Sequence, residues 1–337
     1  MKLVCAMLLG FVLDLIFGDP HGLVHPVQII GWFIDKLKKG MQYLIYGCSY
    51  EEVKEKGIER KAGMEKAAGF FLMLFIVAGT YAVIYGILYV AGMIHPLLRF
   101  CLETFFIYQI LATKSLKKES MKVYKKLKEG DLLGARKEVS YLVGRDTENL
   151  DESEVAKADV ETIAENTADG VIAPMLFIAL GGAPLGFAYK AVNTLDSMVA
   201  YRNDELIHIG FFSAKMDDIC NFVPARFAAV MMMLAAFFLR FDFKGAVRIF
   251  KRDRFAHLSP NSAQTEAVAA GALQIQLGGT HNYFGKAVVN PTIGDAIRPV
   301  EYEDIKRTNQ LLYVSAFLSM AVCTLITFLI YVQLFNV

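Results

Sequence analysis

Glu161 to Arg226 reads ETIAENTADGVIAPMLFIALGGAPLGFAYKAVNTLDSMVAYRNDELIHIGFFSAKMDDICNFVPAR. Acids, amides and small residues crowd its two ends, while an apolar run of membrane grade crosses its middle. Glu161, Glu165 and Asp169 recur at four-residue spacing, so on a helix they form one acidic stripe. The apolar run is broken by Gly181-Gly182 and Pro184, and polar groups return at Lys190, Asn193, Asp196, Asp217, Asp218, Asn221 and Arg226. Charge beside such a run is costly, which predicts a functional site. The plainer reading is a solvated acidic helix followed by an ordinary span.

The rest of the chain supports the membrane side of that contrast. Of 337 residues, 55% are hydrophobic, and mean hydropathy is +0.39. The net charge of +1 creates no field for nucleic acid. Cys5, Cys48, Cys101, Cys220 and Cys323 stand singly with no CxxC pair, so neither a zinc knuckle nor a redox dithiol is indicated. Leu3–Phe17 carries Asp14 and lacks a small-residue cleavage site, so it reads as an uncleaved first span rather than a signal peptide.

The expected fold is an all-α, polytopic membrane bundle in one domain over residues 1–337. Spans are expected at about 3–17, 67–93, 97–113, 171–189, 222–239 and 310–334, roughly five or six passes. A broken or re-entrant helix lies at Gly181–Pro184, where irregular backbone is tolerated if it lines a cavity. Residues 114–168 read as a soluble helical insert, with Leu150–Glu154 as a helix start. Residues 240–309 read as a loop–helix segment, its helix opening at Ser259-Pro260-Asn261-Ser262 and running to about Leu277, with a loop at Asn290–Asp295. No strand pattern is evident. Basic sections at Lys36–Lys66, Lys114–Lys128 and Arg240–Arg254 belong on one cytoplasmic face of the cell membrane.

Phosphate chemistry leaves no standard mark: GxxxxGK[ST] and GxGxxG are both absent. Oxygen-rich clusters without cysteine suit Mg²⁺, with Glu165, Asp169, Asp196, Asp217 and Asp218 as candidate ligands. His25 is either an acid–base group or a hydrogen-bonded boundary residue.

Longer motifs narrow the choice. DLIFGDPH from Asp14 is followed by His25-Pro26-Val27 and Gly31. AENTADGVIAP begins at Ala164, YKAVNTLDSM at Tyr189, AKMDD at Ala214 and NFVPAR at Asn221. Arg252-Asp253, HLSPN from His257, Glu266, AGAL from Ala270 and LGG from Leu277 complete the series. In this order, over nearly the whole chain, they resemble the CbiB/CobD family of adenosylcobinamide-phosphate synthases. Gln42–Met64 is the least similar part. The resemblance implies a ligase of cobalamin (vitamin B12) biosynthesis that joins a carboxylate of adenosylcobyric acid to aminopropanol or its O-phosphate. It implies ATP and Mg²⁺ as cofactors, with activation of the carboxylate as an acyl phosphate. Within it, Glu165, His257 and Lys190 become catalytic candidates, with Glu165 or His257 taking the proton of the amine. His25, Asn166, Asn193, Asn221, Arg226, Arg252, Asn261 and Glu266 become substrate- or phosphate-binding candidates, and Asp169, Asp196, Asp217 and Asp218 metal candidates. Two other classes stay open: a transporter or channel for a cation or corrinoid, built on the broken helix, and a membrane sensor similar to AmpE. The sequence does not fix the oligomeric state or the choice of free or phosphorylated amine.

Overall fold

The computed structural model describes residues 1–19, 25–200, 205–283 and 285–335. Pro20 and His21 of the first motif lie outside them. In chain order the helices are α1 (Lys2–Phe17), α2 (Pro26–Tyr46), α3 (Tyr50–Glu55), α4 (Ala62–Ile94), α5 (Pro96–Ile110), α6 (Thr113–Lys128), α7 (Leu132–Ser140) and α8 (Glu152–Asn166). A π-helical turn, Thr167–Ile172, joins α8 to α9 (Ala173–Val199); α10 (Phe211–Phe238), α11 (Phe243–Asp253) and α12 (Ser262–Leu273) follow. Strands β1 (Leu277–Tyr283) and β2 (Lys286–Ile293) pair antiparallel, and α13 (Glu303–Phe335) closes the series.

Among the described residues, four helical stretches are long and apolar enough to cross a membrane: Ala62–Ile94, Glu152–Val199, Phe211–Phe238 and Glu303–Gln333. The protein is a multi-pass, all-α membrane protein. Phe71, Leu74, Phe75 and Val83 lie exposed on α4; lipid accepts such a surface and water does not. The expected short spans are also helices, but α1 and α5 have 16 and 15 residues, fewer than the ~20 of a perpendicular crossing. Helix α10 starts at Phe211, before the expected 222–239 span, and passes through Pro224, so Asp217, Asp218 and Asn221 are helical.

The chain forms two compact units. One comprises Met1–Gly10, Pro20–Ile110 and Leu176–Cys220. In it α4 packs on α2 and α5, and Glu65, 2% exposed, accepts hydrogen bonds from Arg60 and from the Tyr46 hydroxyl at 2.6 Å. The expected break in α9 is present: Gly181 has φ −148° and ψ 19°, and Gly182 has φ 67° and ψ −165°. The second conformation is open essentially to glycine alone.

The other unit comprises Phe11–Asp19, Leu111–Met175 and Asn221–Val337. Helix α8 starts on a capping box, with Asp151 and Glu154 each accepting the other's backbone N–H at 2.8 and 2.9 Å. Its apolar face (Val155, Ala156, Val160, Ile163) is buried, and it packs on α6, α7, α12 and α13. Every residue of α12 is buried. Its small residues allow this: a Cβ on Gly271 would lie 2.5 Å from the Gly245 carbonyl oxygen of α11. Two local expectations are corrected. Helix α12 ends at Leu273, where Gln274 turns left-handed (φ 59°). Gly278-Gly279, expected to end it, instead lie in β1, and Asn290–Ile293, expected as loop, lie in β2.

Candidate functional site

Glu161 and Glu165 stand one turn apart on α8, as the four-residue spacing predicts. Both face a cavity of about 160 Å³. Glu161 is fixed twice: Arg145 donates to its Oε2 at 2.5 Å, and the Gly278 N–H donates to its Oε1 at 2.7 Å. Glu165 is fixed once, its Oε1 accepting from the Ser262 hydroxyl at 2.7 Å. Ser262 begins α12, and Glu266 follows four residues later on the same helix, 5% exposed and lining the cavity. Among the described residues, Glu266 makes no hydrogen bond or ion pair. Burial first, then the charges of Glu165 and Glu161, raise its carboxyl well above the ordinary range, and Arg145 opposes this only in part.

His257 also lines the cavity, and its Nδ1 accepts the Ser259 backbone N–H at 3.0 Å. A backbone N–H can only donate, so Nδ1 is the acceptor in this bond and the neutral ring carries its proton on Nε2. Asn166 lines the same wall and donates to the Thr162 carbonyl at 2.9 Å. Asp169 lies in the π turn; it does not line the cavity, but its charge acts on Glu266. His281 of β1 is pushed down to about 4, by burial first and then by Arg145.

A second, polar cavity of about 1010 Å³ shares Arg145, Gly278 and His281 with the first. The 146–150 loop, Lys157, Gly279 and Thr280 line the remainder. Lys157 donates to the Gly278 carbonyl. A small acidic chamber therefore adjoins a large polar one, with a cation on each wall.

A family profile described as "CobD/Cbib protein" matches residues 7–312. The chain belongs to the CobD/CbiB family. It is 48% identical over 320 residues to the cobalamin biosynthesis protein CobD of Clostridium perfringens, covering 95% of this chain and 96% of that protein. It is 45% identical over 320 residues to CobD of Streptococcus sanguinis, with coverage of 95% and 96%. It is 42% identical over 319 residues to the cobalamin biosynthesis protein CbiB of Salmonella choleraesuis, with coverage of 95% and 96%. No solved structure matches.

Of the residues this family's motifs singled out, Glu165, Asn166, His257 and Glu266 share the small cavity. In the same unit, Arg226 stacks on Phe222, its guanidinium 3.6 Å from the ring centre, and donates to Asn261 Oδ1 at 3.3 Å. Asn221 is buried. Arg252 is held by Asp253 (2.7 and 2.8 Å) and by Asp295 (2.6 Å). The other unit carries His25, Lys190, Asn193, Asp196, Asp217 and Asp218. There His25 caps α2, its Nδ1 accepting the Val27 N–H at 3.2 Å, and Asp218 pairs with Lys215 at 3.4 Å. Sequence reasoning missed Arg145, Lys157, Ser262 and His281 as parts of the site. Arg145 read only as part of a helix break, and its partner Glu161 is sixteen residues on.

Among the described residues, no three His, Cys, Asp or Glu side chains form a metal-binding group. An ion caged wholly by protein is therefore not what this donor set offers. Mg²⁺ that keeps waters, takes one or two carboxylates and shares phosphate oxygens is compatible with it, as is ATP beside Arg145 and Lys157.

Proposed function

We propose that this chain acts in cobalamin biosynthesis as a ligase. It joins a carboxylate of adenosylcobyric acid to aminopropanol or aminopropanol O-phosphate, giving adenosylcobinamide or its phosphate. Family membership over nearly the whole chain supports the pathway. The observation that carries the reaction is the half-buried Glu165 together with the buried Glu266 in a small chamber beside a large polar cavity. A carboxylate-lined chamber suits the ammonium; a large cavity bordered by Arg145 and Lys157 suits an anionic partner.

When bound, ATP and Mg²⁺ supply the activation that lets a carboxylate accept an amine and screen the phosphate charge. In this reading Glu165, oriented by Ser262, takes the proton that the ammonium must lose before it attacks. His257 donates through Nε2. Arg145 and Lys157 attract the phosphates, and Lys190, Arg226 and Arg252 remain proposed contacts for them. Asp169, Asp196, Asp217 and Asp218 are the proposed Mg²⁺ contacts, and His25, Asn193, Asn221 and Asn261 proposed substrate contacts. The break at Gly181-Gly182 also suits a transporter; uptake of corrinoid into liposomes without product would favour that reading.

The test is mass spectrometry after incubating purified protein with adenosylcobyric acid, each amine, ATP and Mg²⁺. An amide of the corrinoid is expected with one or both amines. No change in corrinoid mass with either amine would overturn the proposal.

A further inference from the structure

We infer that α9 is a re-entrant hairpin: it enters the bilayer, turns at Gly181-Gly182 against Glu103 of α5, and leaves by the face it entered. Lys190, Asn193 and Asp196 on its returning arm then open on the same side of the membrane as Glu165 on α8. This topology holds whether or not the chain is a synthase.

Two contacts show the fold-back. A Cβ on Gly186 would lie 2.6 Å from Ile178 Cγ1. The rings of Phe177 and Tyr189 stack, with centres 4.8 Å apart and planes 16° apart. Along a straight helix residues 178 and 186 would be about 12 Å apart, and residues 177 and 189 about 18 Å. The two arms are therefore antiparallel neighbours, and the non-helical Gly181 and Gly182 form the tip. The first arm, Ala173 to Leu180, is about 12 Å of helix, far short of a hydrocarbon core of about 30 Å. The hydropathy that makes Glu152–Val199 long and apolar enough to cross comes from two arms lying side by side.

Helix α5 gives the depth. Glu103, which stands midway along α5, accepts the Ala183 N–H at the tip. Four residues into the returning arm, a Cβ on Gly186 would lie 2.9 Å from Ile110 Cδ1, and between them the Phe106 and Phe187 rings meet edge to face at 5.6 Å. Glu103 to Ile110 is about 10 Å of helix. The returning arm thus runs beside α5 toward the end that leads into the basic section Lys114–Lys128. Beyond the arm, Glu205 pairs with Lys38 at 3.1 Å, and its carbonyl accepts from Arg60 at 3.2 Å. Both cations belong to the basic section Lys36–Lys66, which marks the cytoplasmic face.

An irregular turn at membrane depth must have its backbone groups satisfied within the protein. Gly182, Ala183 and Pro184 are buried; Glu103 takes the Ala183 N–H, and Pro184 has none to satisfy. In transporters a half-helix N-terminus of this kind receives an anionic group of the substrate. In this chain a protein carboxyl already fills it.

The test uses the full-length protein in native membranes, with its five cysteines replaced by alanine. Single cysteines are placed at Glu152 and Ser197, exposed before and after the hairpin, and at Lys54 in the cytoplasmic basic section as reference. A membrane-impermeant maleimide is applied to spheroplasts and to inverted vesicles. Glu152→Cys, Ser197→Cys and Lys54→Cys should all label in inverted vesicles and none in spheroplasts. Labelling of Glu152→Cys and Ser197→Cys from opposite faces would overturn the inference. The double variant Ile178→Cys/Gly186→Cys, mildly oxidised, reads the fold-back directly. Both free thiols should be lost from the monomer, because a disulfide needs Cα atoms within about 7 Å. Two thiols still free, in a variant that melts like the cysteine-free chain, would sink the hairpin. If either single cysteine labels from neither face, this pair decides; if the double variant fails to fold, the labelling does.

Discussion

Arg145 holds Glu161 at 2.5 Å where the two side chains are only 7% and 13% exposed. Arg145 comes from the connection before α8 and Glu161 from the third turn of that helix, so the pair fixes how the chain enters the helix that carries the site. Removing one partner of a buried pair strands the other charge. Arg145→Met is expected to lower stability by about 3 kcal/mol. Glu161→Gln keeps an acceptor for the Gly278 N–H, so the double variant should recover much of that loss. A double-mutant cycle on thermal unfolding in detergent measures it; additive losses would show that the two charges are uncoupled.

His281 gives a pH dependence of definite sign. Its folded value of about 4 lies below the ordinary 6.5. Above pH 6.5 the ring is neutral in both states and adds no slope. Between 6.5 and about 4 the unfolded chain takes up a proton that the folded chain refuses, so stability falls as pH falls. The loss is at most about 3 kcal/mol once pH is below 4. Unfolding of His281→Asn between pH 4.5 and 7 should show a flatter profile than the unmodified protein; parallel profiles would place the acid sensitivity elsewhere.

What the sequence made legible was local. Asp151 and Glu154 form their capping box within four residues, and Gly181-Gly182 breaks α9 through its own backbone freedom. The stripe of Glu161 and Glu165 follows from helical period, although Asp169 falls in a π turn that no propensity marks. The hairpin was illegible because distant groups hold it. The Asp146 N–H donates to the Asn282 carbonyl at 2.8 Å, the Gly285 N–H to Asp146 Oδ2 at 2.8 Å, and the Gly278 N–H to Glu161. Two glycines and Pro291 in its strands argue locally against sheet. Asp159 is the converse case. It is fully buried on α8, and neither carboxylate oxygen has a hydrogen-bond partner; its spacing gave no sign of this, because packing by other helices supplies the burial.

Arg252 separates a structural from a phosphate-binding role. Its guanidinium bridges Asp253 and Asp295, and Asp253 also accepts the Gly294 N–H at 2.7 Å. The three residues thus tie the end of α11 to the loop after β2. Lysine keeps the charge and loses the fork. With half of the Arg252 side chain exposed, Arg252→Lys is expected to cost only about 1 kcal/mol of stability. A structural tie predicts that cost with the KM for ATP unchanged. A KM for ATP raised about tenfold at unchanged thermal stability would instead place Arg252 on the phosphates.

Gly182 is where the course of α9 is decided. At φ 67° and ψ −165° an L side chain is strained whatever the space around it. The space is also taken, because a Cβ there would lie 2.6 Å from Glu103 Oε1. Gly182→Ala is therefore expected to destabilise the protein by about 1–3 kcal/mol. Gly79 is the contrasting case. It is helical, on α4, and a Cβ there meets nothing within 4 Å. Gly79→Ala should be neutral or stabilise by up to about 1 kcal/mol, since alanine restricts the unfolded chain without a clash. Thermal unfolding of the two variants in one detergent compares them directly. If they melt alike, the left-handed glycine is not what holds the break. If only Gly182→Ala falls, the break is a required conformation, and the helical stretch that resumes at Ala183-Pro184 depends on the glycine before it.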